Sequence, residues 1–293
     1  MLTRIFHPTD FSPASHVAFV HALKLALASH SSLTIFHFAR GAEASHLHEF
    51  PQVRETLAQW GAISPESPRD AVGALGLRVH KVEVEGDDPT GAIVDYLGDH
   101  PADLMVLATH QRSGVARWLY QEIASPIVRQ SALVTLFVPP GVDGFVDSDT
   151  GRVRLQRVLL PVDQYPHPGP AITMLPAIVR AFHPGGVTAE LLHVGTAATM
   201  PRVHLPRADG WVWTTRLEQG DSVAEILRAA AERADLLTLT TGGRRGFLDA
   251  LRGSTTERIV RGARCPVLAV PTVVPVDARG WAFDPMLPDP AGP

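Results

Sequence analysis

Residues 241–246 read Thr-Gly-Gly-Arg-Arg-Gly and run on to Leu-Ala-Val-Pro at 268–271. Displaced by 132 positions (241 minus 109), residues 109–114 read Thr-His-Gln-Arg-Ser-Gly and run on to Leu-Phe-Val-Pro at 136–139. Arginine, glycine, leucine, valine and proline recur in step, with Ile-Val-Arg between them, so one module is present twice. The second copy keeps a glycine-rich loop that the first lacks, and this asymmetry bears on function.

The repeat and the length of 293 residues predict two domains, 1–140 and 154–274, with a linker at 141–153 and a proline-rich tail at 275–293. The net charge of -4 and the pI of about 6.4 argue against binding to nucleic acid or to an anionic membrane. Cys265 is the only cysteine, so no intrachain disulfide can form. The sequence shows neither a signal peptide nor a membrane-spanning run, and we expect a cytoplasmic protein.

Short apolar runs alternate with amphipathic stretches in each half, which predicts a parallel sheet covered by helices. A helix is expected to begin at Ser12-Pro13, where an N-capping serine precedes a proline at the first helical position. Further helices are expected to begin at Asp88-Pro89 and at Asp221. An irregular excursion at 41–76 is expected to hold one short helix near 53–60. The predicted strands are 2–7, 32–38, 77–84, 104–109 and 133–138, then 158–161, 187–194, 211–217, 236–240 and 267–270.

A spaced glycine pattern follows the fourth strand of the second copy. Residues 240–243 read Thr-Thr-Gly-Gly, nine residues follow, and Gly253-Ser254 close the pattern, whereas the first copy ends its nine-residue spacer with Gln121-Glu122. Strand one ends in an aspartate in both copies, Asp10 and Asp163. These features resemble the universal stress protein family in its tandem form, in which the pattern is Gly-x-x-Gly, nine residues, then Gly-Ser or Gly-Thr. Thr240 replaces the first of those glycines.

The resemblance covers nearly all of residues 1–272 and implies an α/β fold. Each domain would be a five-stranded, parallel, doubly wound, Rossmann-like sheet in the strand order 3-2-1-4-5. Strand five of one domain would pair with strand five of the other, 133–138 with 265–270, as an internal pseudo-dimer. Adenine nucleotides would bind at the carboxyl ends of strands one and four, where doubly wound sheets generally bind ligands.

The residues after the glycine pattern suit a phosphate group. Ser254 with Glu257 three residues later forms a capping box, which is the purely structural interpretation. The same first turn leaves backbone N–H groups free for an anion, and Thr255 adds a hydroxyl donor. Gly243 and Gly253 allow close approach of the backbone. We expect ATP or another adenine nucleotide here, which Mg²⁺ can accompany.

By resemblance, Asp163 and the backbone of Val194 would line the adenine and ribose pocket, with Pro161, Val162 and Leu239 as apolar walls. The alternatives are core packing for Val162 and Leu239, and capping of the following proline-rich chain for Asp163. The full set of candidate nucleotide-binding residues is Pro161, Val162, Asp163, Val194, Leu239, Thr240, Gly243, Gly253, Ser254 and Thr255.

The first copy differs in three ways that matter for a phosphate. Glu122 puts a carboxylate where the phosphate would approach, and Gln111 and Gln121 put side chains where the backbone must come close. Ser125-Pro126 delays the helix start. We therefore expect no nucleotide in domain 1.

The spacing of the candidate residues argues against a metal site and against a catalytic site. His46, His48 and Glu49 are close together, but no second ligand cluster stands at a recognisable interval, so we expect a surface cluster rather than a metal site. Neither a catalytic triad nor paired carboxylates indicate an enzyme. We expect a stress-response binding or signalling protein whose partners are an adenine nucleotide and, as a further candidate, a second chain. The alternatives are a ligand-free interaction scaffold and a weak ATP hydrolase.

Overall fold

The computed structural model describes residues 2–40, 48–109, 133–182, 185–207, 209–242 and 255–272. Within these ranges ten strands form one sheet, ordered β3-β2-β1-β4-β5-β10-β9-β6-β7-β8. The strands are β1 Arg4–Thr9, β2 Ser32–Arg40, β3 Arg78–Gly86, β4 Leu104–Ala108, β5 Val134–Val138, β6 Arg157–Pro161, β7 Val187–Val194, β8 Trp211–Glu218, β9 Leu236–Thr241 and β10 Val267–Pro271. The described helices are α1 Pro13–Ser29, α2 Val53–Gln59, α3 Ala71–Ala74, α4 Pro89–Asp99, α5 Gly169–Ala181, α6 Ser222–Arg233 and α7 Thr255–Gly262.

The strand order confirms the predicted topology in both halves. Each half reads 3-2-1-4-5 with parallel pairing, and β5 pairs antiparallel with β10 at the centre of the sheet. The central register joins Val267 to Phe137 and Ala269 to Thr135. The predicted internal pseudo-dimer through strand five is thus the centre of one continuous sheet. No helix in the described ranges is both long and apolar enough to cross a bilayer.

The three predicted helix starts are confirmed by side-chain caps. The Ser12 hydroxyl accepts a hydrogen bond from Ser15 N at 3.1 Å. Asp88 Oδ1 accepts from two backbone N–H groups at the start of α4, and Asp221 Oδ1 accepts from Ala224 N at 2.9 Å. Each cap satisfies donors that the first turn leaves unpaired, so these boundaries are fixed locally.

Two aspartates at equivalent positions hold the start of strand one in each half. Asp103 Oδ2 accepts hydrogen bonds from Thr3 N, Thr3 Oγ1 and Arg4 N at 2.8, 2.8 and 2.9 Å, and Oδ1 accepts one from Arg4 Nη2 at 3.1 Å. Burial raises the pKa of this carboxyl, but the hydrogen bonds from Thr3 and Arg4 outweigh burial and leave the pKa lowered. Asp235, 132 positions later (235 minus 103), accepts the backbone N–H groups of residues 156–157, both at 2.8 Å.

Replacing Asp103 with alanine should lower the free energy of unfolding by about 2–4 kcal/mol, because half-buried donors lose a charged acceptor. The matched Asp235→Ala should cost less, about 1–2 kcal/mol, since only two exposed backbone donors lose their partner. Urea unfolding followed by circular dichroism measures both. Equal losses in the two variants would contradict this ranking.

Buried apolar clusters cover both faces of the sheet, and each draws on both halves of the chain. One cluster contains Ile5 from the first half and Leu191 from the second. The cluster on the opposite face contains Phe6 and Leu239. Helices α1 and α5 also contact each other. The two repeats therefore share their cores on both faces of the sheet.

The segment 141–153, predicted as a linker, contributes to the first cluster. Phe145 and Val146 are 1% and 0% exposed. The Phe145 ring lies edge-on to His21, with ring centroids 4.6 Å apart, and to Phe182, with centroids 5.0 Å apart. Phe145 thus packs between α1 of the first half and the end of α5 in the second.

His21 also binds this segment through its ring nitrogens. The backbone N–H groups of Phe145 and Val146 donate to His21 Nε2 at 3.1 and 3.3 Å, and the Nδ1–H group donates to Val17 O at 2.8 Å. Burial lowers the pKa of His21 to about 4, although the hydrogen bond to Val17 raises it in part. The imidazole is therefore neutral at pH 7 and accepts two backbone donors that would otherwise be unpaired.

The excursion between β2 and β3 docks on the same segment. It carries the predicted short helix as α2, Val53–Gln59, and adds α3, Ala71–Ala74. Trp60 Nε1 donates to Ser148 O at 2.9 Å, and Lys24 Nζ lies 5.9 Å from the Trp60 ring centroid. The extra chain of the first half is therefore anchored to the segment that joins the two repeats.

Candidate nucleotide site

The second half has its topological switch at β6. The strand lies between β7 and β9 in the sheet, and the chain leaves β6 for β7 on one side and later returns to β9 on the other. Parallel strands that separate in this way leave a crevice at their carboxyl ends. This edge brings together the candidate residues that belong to strand ends, namely Pro161, Val162, Asp163, Val194, Leu239 and Thr240.

Asp163 follows β6 with an exposed side chain. Its Oδ1 accepts a hydrogen bond from Gln164 N at 2.7 Å. Helix α5 begins six residues later at Gly169, with Pro168 at its N-cap position and no side-chain capping hydrogen bond. Asp163 therefore does not cap this helix, and its carboxylate faces solvent at the crevice.

A histidine connects the loops that follow β6 and β7. His193 Nδ1–H donates to Val162 O at 2.9 Å, and in the neutral ring Nε2 accepts from Thr199 Oγ1 at 2.9 Å. Gln164 Nε2 donates to Thr199 O at 3.3 Å. A Cβ on Gly195 would lie 2.5 Å from His193 Nε2 and 2.8 Å from Thr199 Oγ1, so this close packing requires glycine. The network fixes the backbone of the two loops that follow β6 and β7.

The side chains of Val162 and Leu239 belong to the two cores. They are 4% and 5% exposed, and they lie in the clusters on opposite faces of the sheet. Core packing, the alternative interpretation, therefore describes their side chains, and their backbone remains at the edge. Thr240 is 8% exposed, and its Oγ1 is a buried polar atom without a hydrogen-bond partner within the described chain.

The glycine pattern is described only in part. A Cβ built on Gly242 would meet no described heavy atom within 4 Å. Thr255 opens α7 and is exposed, and Glu257 in its first turn pairs with Arg261 at 2.7 Å. The predicted ligands Gly243, Gly253 and Ser254, and with Ser254 the capping box, lie outside the described residues.

The equivalent place in the first half is filled by side chains of the protein itself. Phe11, at a φ of +60°, stacks on His37 with ring centroids 4.0 Å apart. The Phe50 ring meets Phe11 edge-on at 5.3 Å and is 1% exposed. His37 Nδ1–H donates to Thr9 O at 3.0 Å, the counterpart of the hydrogen bond from His193 to Val162. We call Phe11, His37 and Phe50 the aromatic plug.

The aromatic plug was not predicted from the sequence. The signals expected to close domain 1 were Gln111, Gln121 and Glu122, and all three lie outside the described residues. Histidine recurs at the end of strand two in both halves, His37 and His193, but this recurrence alone does not indicate a neighbouring ring. The ring of Phe11 could be placed only once its left-handed backbone was known.

The sequence and the fold are similar to those of known proteins. Residues 1–139 and 190–271 match the Universal stress protein family. The chain belongs to this family. The matched segments contain strands one to five of the first half and the second half from within β7 to β10.

Solved structures show the same tandem fold at low identity. A universal stress protein from Archaeoglobus fulgidus DSM 4304 has a TM-score of 0.59 at 15% identity, with 91% of this chain and 95% of that chain covered. A functionally unknown protein from Pseudomonas aeruginosa PAO1 has a TM-score of 0.57 at 12% identity, with 92% of each chain covered. A shorter universal stress protein in complex with cAMP matches 47% of this chain at 24% identity and a TM-score of 0.30, with 97% of that chain covered. No curated protein matches the chain.

Two further groups that stood out in the sequence lie away from the crevice. Cys265 is 6% exposed at the start of β10, and burial raises the pKa of its thiol to about 12, with a smaller contribution from Asp235. His48 Nε2 lies 3.9 Å from Glu49 Oε1 at the surface. The described residues contain no cluster of three metal-ligating side chains, and His46 is outside them.

Proposed function

We propose that the second half of this universal stress protein binds an adenine nucleotide without turning it over, and that the first half does not. Binding would act as a signal in a stress response, through a change in conformation or in choice of partner. ATP is the expected ligand class, held by the residues at the ends of β6, β7 and β9 and by the glycine loop after β9.

The observation that carries the proposal is the difference between the two strand-two histidines. In the first half, the ring of Phe11, which follows Asp10 in the chain, stacks on His37 and covers it. In the second half, His193 binds Thr199 instead, and Tyr165 is turned out of the fold with 86% of its surface exposed. A flat base needs an uncovered strand end beside an accepting carboxylate. The exposed Asp163, together with a His193 on which no described ring stacks, supports the second half for this role.

The phosphate part of the proposal depends on backbone and hydroxyl donors. Gly242 carries no side chain that narrows the loop, and Thr255 places an exposed hydroxyl at the first position of α7. The positive end of a helix dipole stabilises an anion near this turn. Residues 244–264 contain six arginines against Asp249 and Glu257, which gives a local charge of +4 (6 minus 2) in a chain of -4.

Isothermal titration with ATP, ADP and AMP tests the proposal. Wild type should bind one nucleotide per chain, and Asp163→Ala should weaken binding about 10- to 100-fold, because a charge-assisted hydrogen bond is lost. Gly243→Val should weaken binding by a similar factor, since the side chain obstructs the loop. The matched control is Asp10→Ala in the first half, which should leave binding unchanged.

Two results would overturn this function. Flat traces for all three nucleotides would favour a ligand-free scaffold, an alternative supported by the antiparallel β5–β10 pairing that already joins the repeats internally. Phosphate release from ATP that depends on Asp163 would favour a weak hydrolase. Equal weakening by Asp10→Ala and Asp163→Ala would place the ligand elsewhere.

A further inference from the structure

A cleft of about 930 Å³ lies far along the chain from the nucleotide site, between the excursion of the first half and edge strand β3. The residues that line it come from α2, the loop after α2, α3 and β3. Its apolar lining includes Val53 and Leu77, both buried, and the half-buried Val79. The excursion at 41–76 therefore builds a cavity in the first repeat. The second repeat has no equivalent segment that could form one.

The same cleft is lined by an excess of positive charge. Among the described residues that line it, the cations are Arg54, Arg69 and Lys81, and the one carboxylate is Glu55. Their formal sum is +2 (3 minus 1), although the whole chain carries -4. An anion entering the cleft would therefore meet a favourable local field.

Two of these cations differ in burial, since Arg54 is half-buried and Lys81 is exposed. Arg54 Nη2 donates to Ser67 O, but Arg54 Nε is a buried atom without a hydrogen-bond partner in the described part of the chain. Burial lowers the pKa of Lys81, and Glu55 offsets this in part. Lys81 Nζ also lies 5.8 Å from the ring centroid of Phe50. The exposed ammonium of Lys81 can pair with an anion that enters the cleft.

Strand β3 places apolar side chains and a positive charge next to each other in the cleft. Side chains two positions apart on a strand project to the same face of the sheet. The face that lines the cleft therefore carries Leu77, just before β3, with Val79 and Lys81. Arg78 projects to the opposite face. A ligand along this strand would meet an apolar surface and then an ammonium group. A purely apolar ligand would bury the cations unpaired, and a small polyanion would leave the apolar residues uncovered.

We propose that this cleft is a second ligand site that binds an amphipathic monocarboxylate, with a hydrocarbon chain against Val53, Leu77 and Val79 and its carboxylate against Lys81 and Arg54. The site is separate from the nucleotide site and does not depend on it. In the first half, the Phe50 ring links the aromatic plug to the cleft, because it contacts Phe11 edge-on and also lies under Lys81.

Titration of the full-length protein with octanoate, by calorimetry and by methyl NMR, tests the proposal. Octanoate should saturate one site and shift the methyl signals of Leu77 and Val79. Octan-1-ol, with the same chain length and no charge, should bind at least about ten-fold more weakly, since a charge-assisted contact is worth more than one factor of ten. Lys81→Gln should weaken octanoate binding by a similar factor.

Arg78→Gln is the matched control, because it removes a cation of the same strand from the opposite face and should change octanoate affinity less than two-fold, a difference well below about 1 kcal/mol. Gly243→Val should also leave octanoate binding unchanged, which separates this site from the nucleotide site. Three results would overturn the proposal: no saturable octanoate binding, octan-1-ol binding as tight as octanoate, or equal weakening by Lys81→Gln and Arg78→Gln.

Discussion

Replacing His21 with leucine should lower the free energy of unfolding by about 3–5 kcal/mol, a large effect for one side chain. Leucine fills a similar volume but cannot accept the backbone N–H groups of Phe145 and Val146, and it leaves Val17 O without the ring donor. Each buried donor without a partner costs about 1–3 kcal/mol. Urea unfolding at pH 7 measures the loss.

His7→Leu is the matched control for this prediction. His7 is also fully buried, and its Nδ1–H group donates to Val106 O at 2.8 Å, but its Nε2 has no hydrogen-bond partner among the described residues. The substitution therefore removes one donor from a carbonyl and removes one unpaired nitrogen, so it should cost about 1–2 kcal/mol. A loss for His7→Leu as large as that for His21→Leu would show that ring volume, not the two N–H donors, sets the cost.

The pH dependence of the same variants separates charge from packing. Burial lowers the pKa of His21 to about 4, whereas the unfolded chain binds the proton near the ordinary value of 6.5. The stability contributed by the neutral ring is therefore complete above pH 6.5 and is lost as the pH falls towards 4. Between pH 7 and pH 5 wild type should lose about 2 kcal/mol more than His21→Leu. Equal losses in the two proteins would contradict a buried neutral His21.

The contrast between His21 and the helix caps explains what the sequence could predict. Ser12 and Asp221 cap helices through bonds to residues three positions away, so a local pattern reveals them. His21 binds Phe145 across 124 positions, and nothing near either residue indicates the contact. Asp103 lies between these cases, because it recurs as Asp235 at the 132-residue offset of the repeat, but its hydrogen bonds to strand one depend on the fold.

The candidate nucleotide site also has features that the sequence predicts and features that only the fold reveals. The strand order and the position of Asp163 at a strand end followed from the repeat and the family resemblance, and the topology confirms both. The side chains of Val162 and Leu239 are buried because neighbouring strands and helices cover them, which spacing alone cannot decide. The aromatic plug depends on the backbone of Phe11, since only a left-handed residue turns that ring onto His37.

Replacing Gly144 with alanine should destabilise the fold by about 4 kcal/mol or more, because strain and a clash add to lost hydrogen bonds. Gly144 has a φ of +70°, and a Cβ there would lie 2.3 Å from both Cε1 and Nε2 of His21. The imidazole must move, and the bonds from Phe145 and Val146 to Nε2 are then lost. Chemical unfolding of the variant, beside wild type, measures the sum.

Gly141→Ala supplies the matched control, because Gly141 has a φ of +73° but a Cβ there meets no described heavy atom within 4 Å. It should cost only the backbone strain, about 1 kcal/mol. A double-mutant cycle with His21→Ala then isolates the clash, since removing the ring leaves nothing for the new methyl group to strike. The double variant His21→Ala, Gly144→Ala should therefore lose at least about 2 kcal/mol less than the sum of the single losses. Additive losses would mean that glycine is required at position 144 for its backbone conformation alone. The contact between segment 141–153 and α1 would then not depend on the absence of a Cβ atom at Gly144.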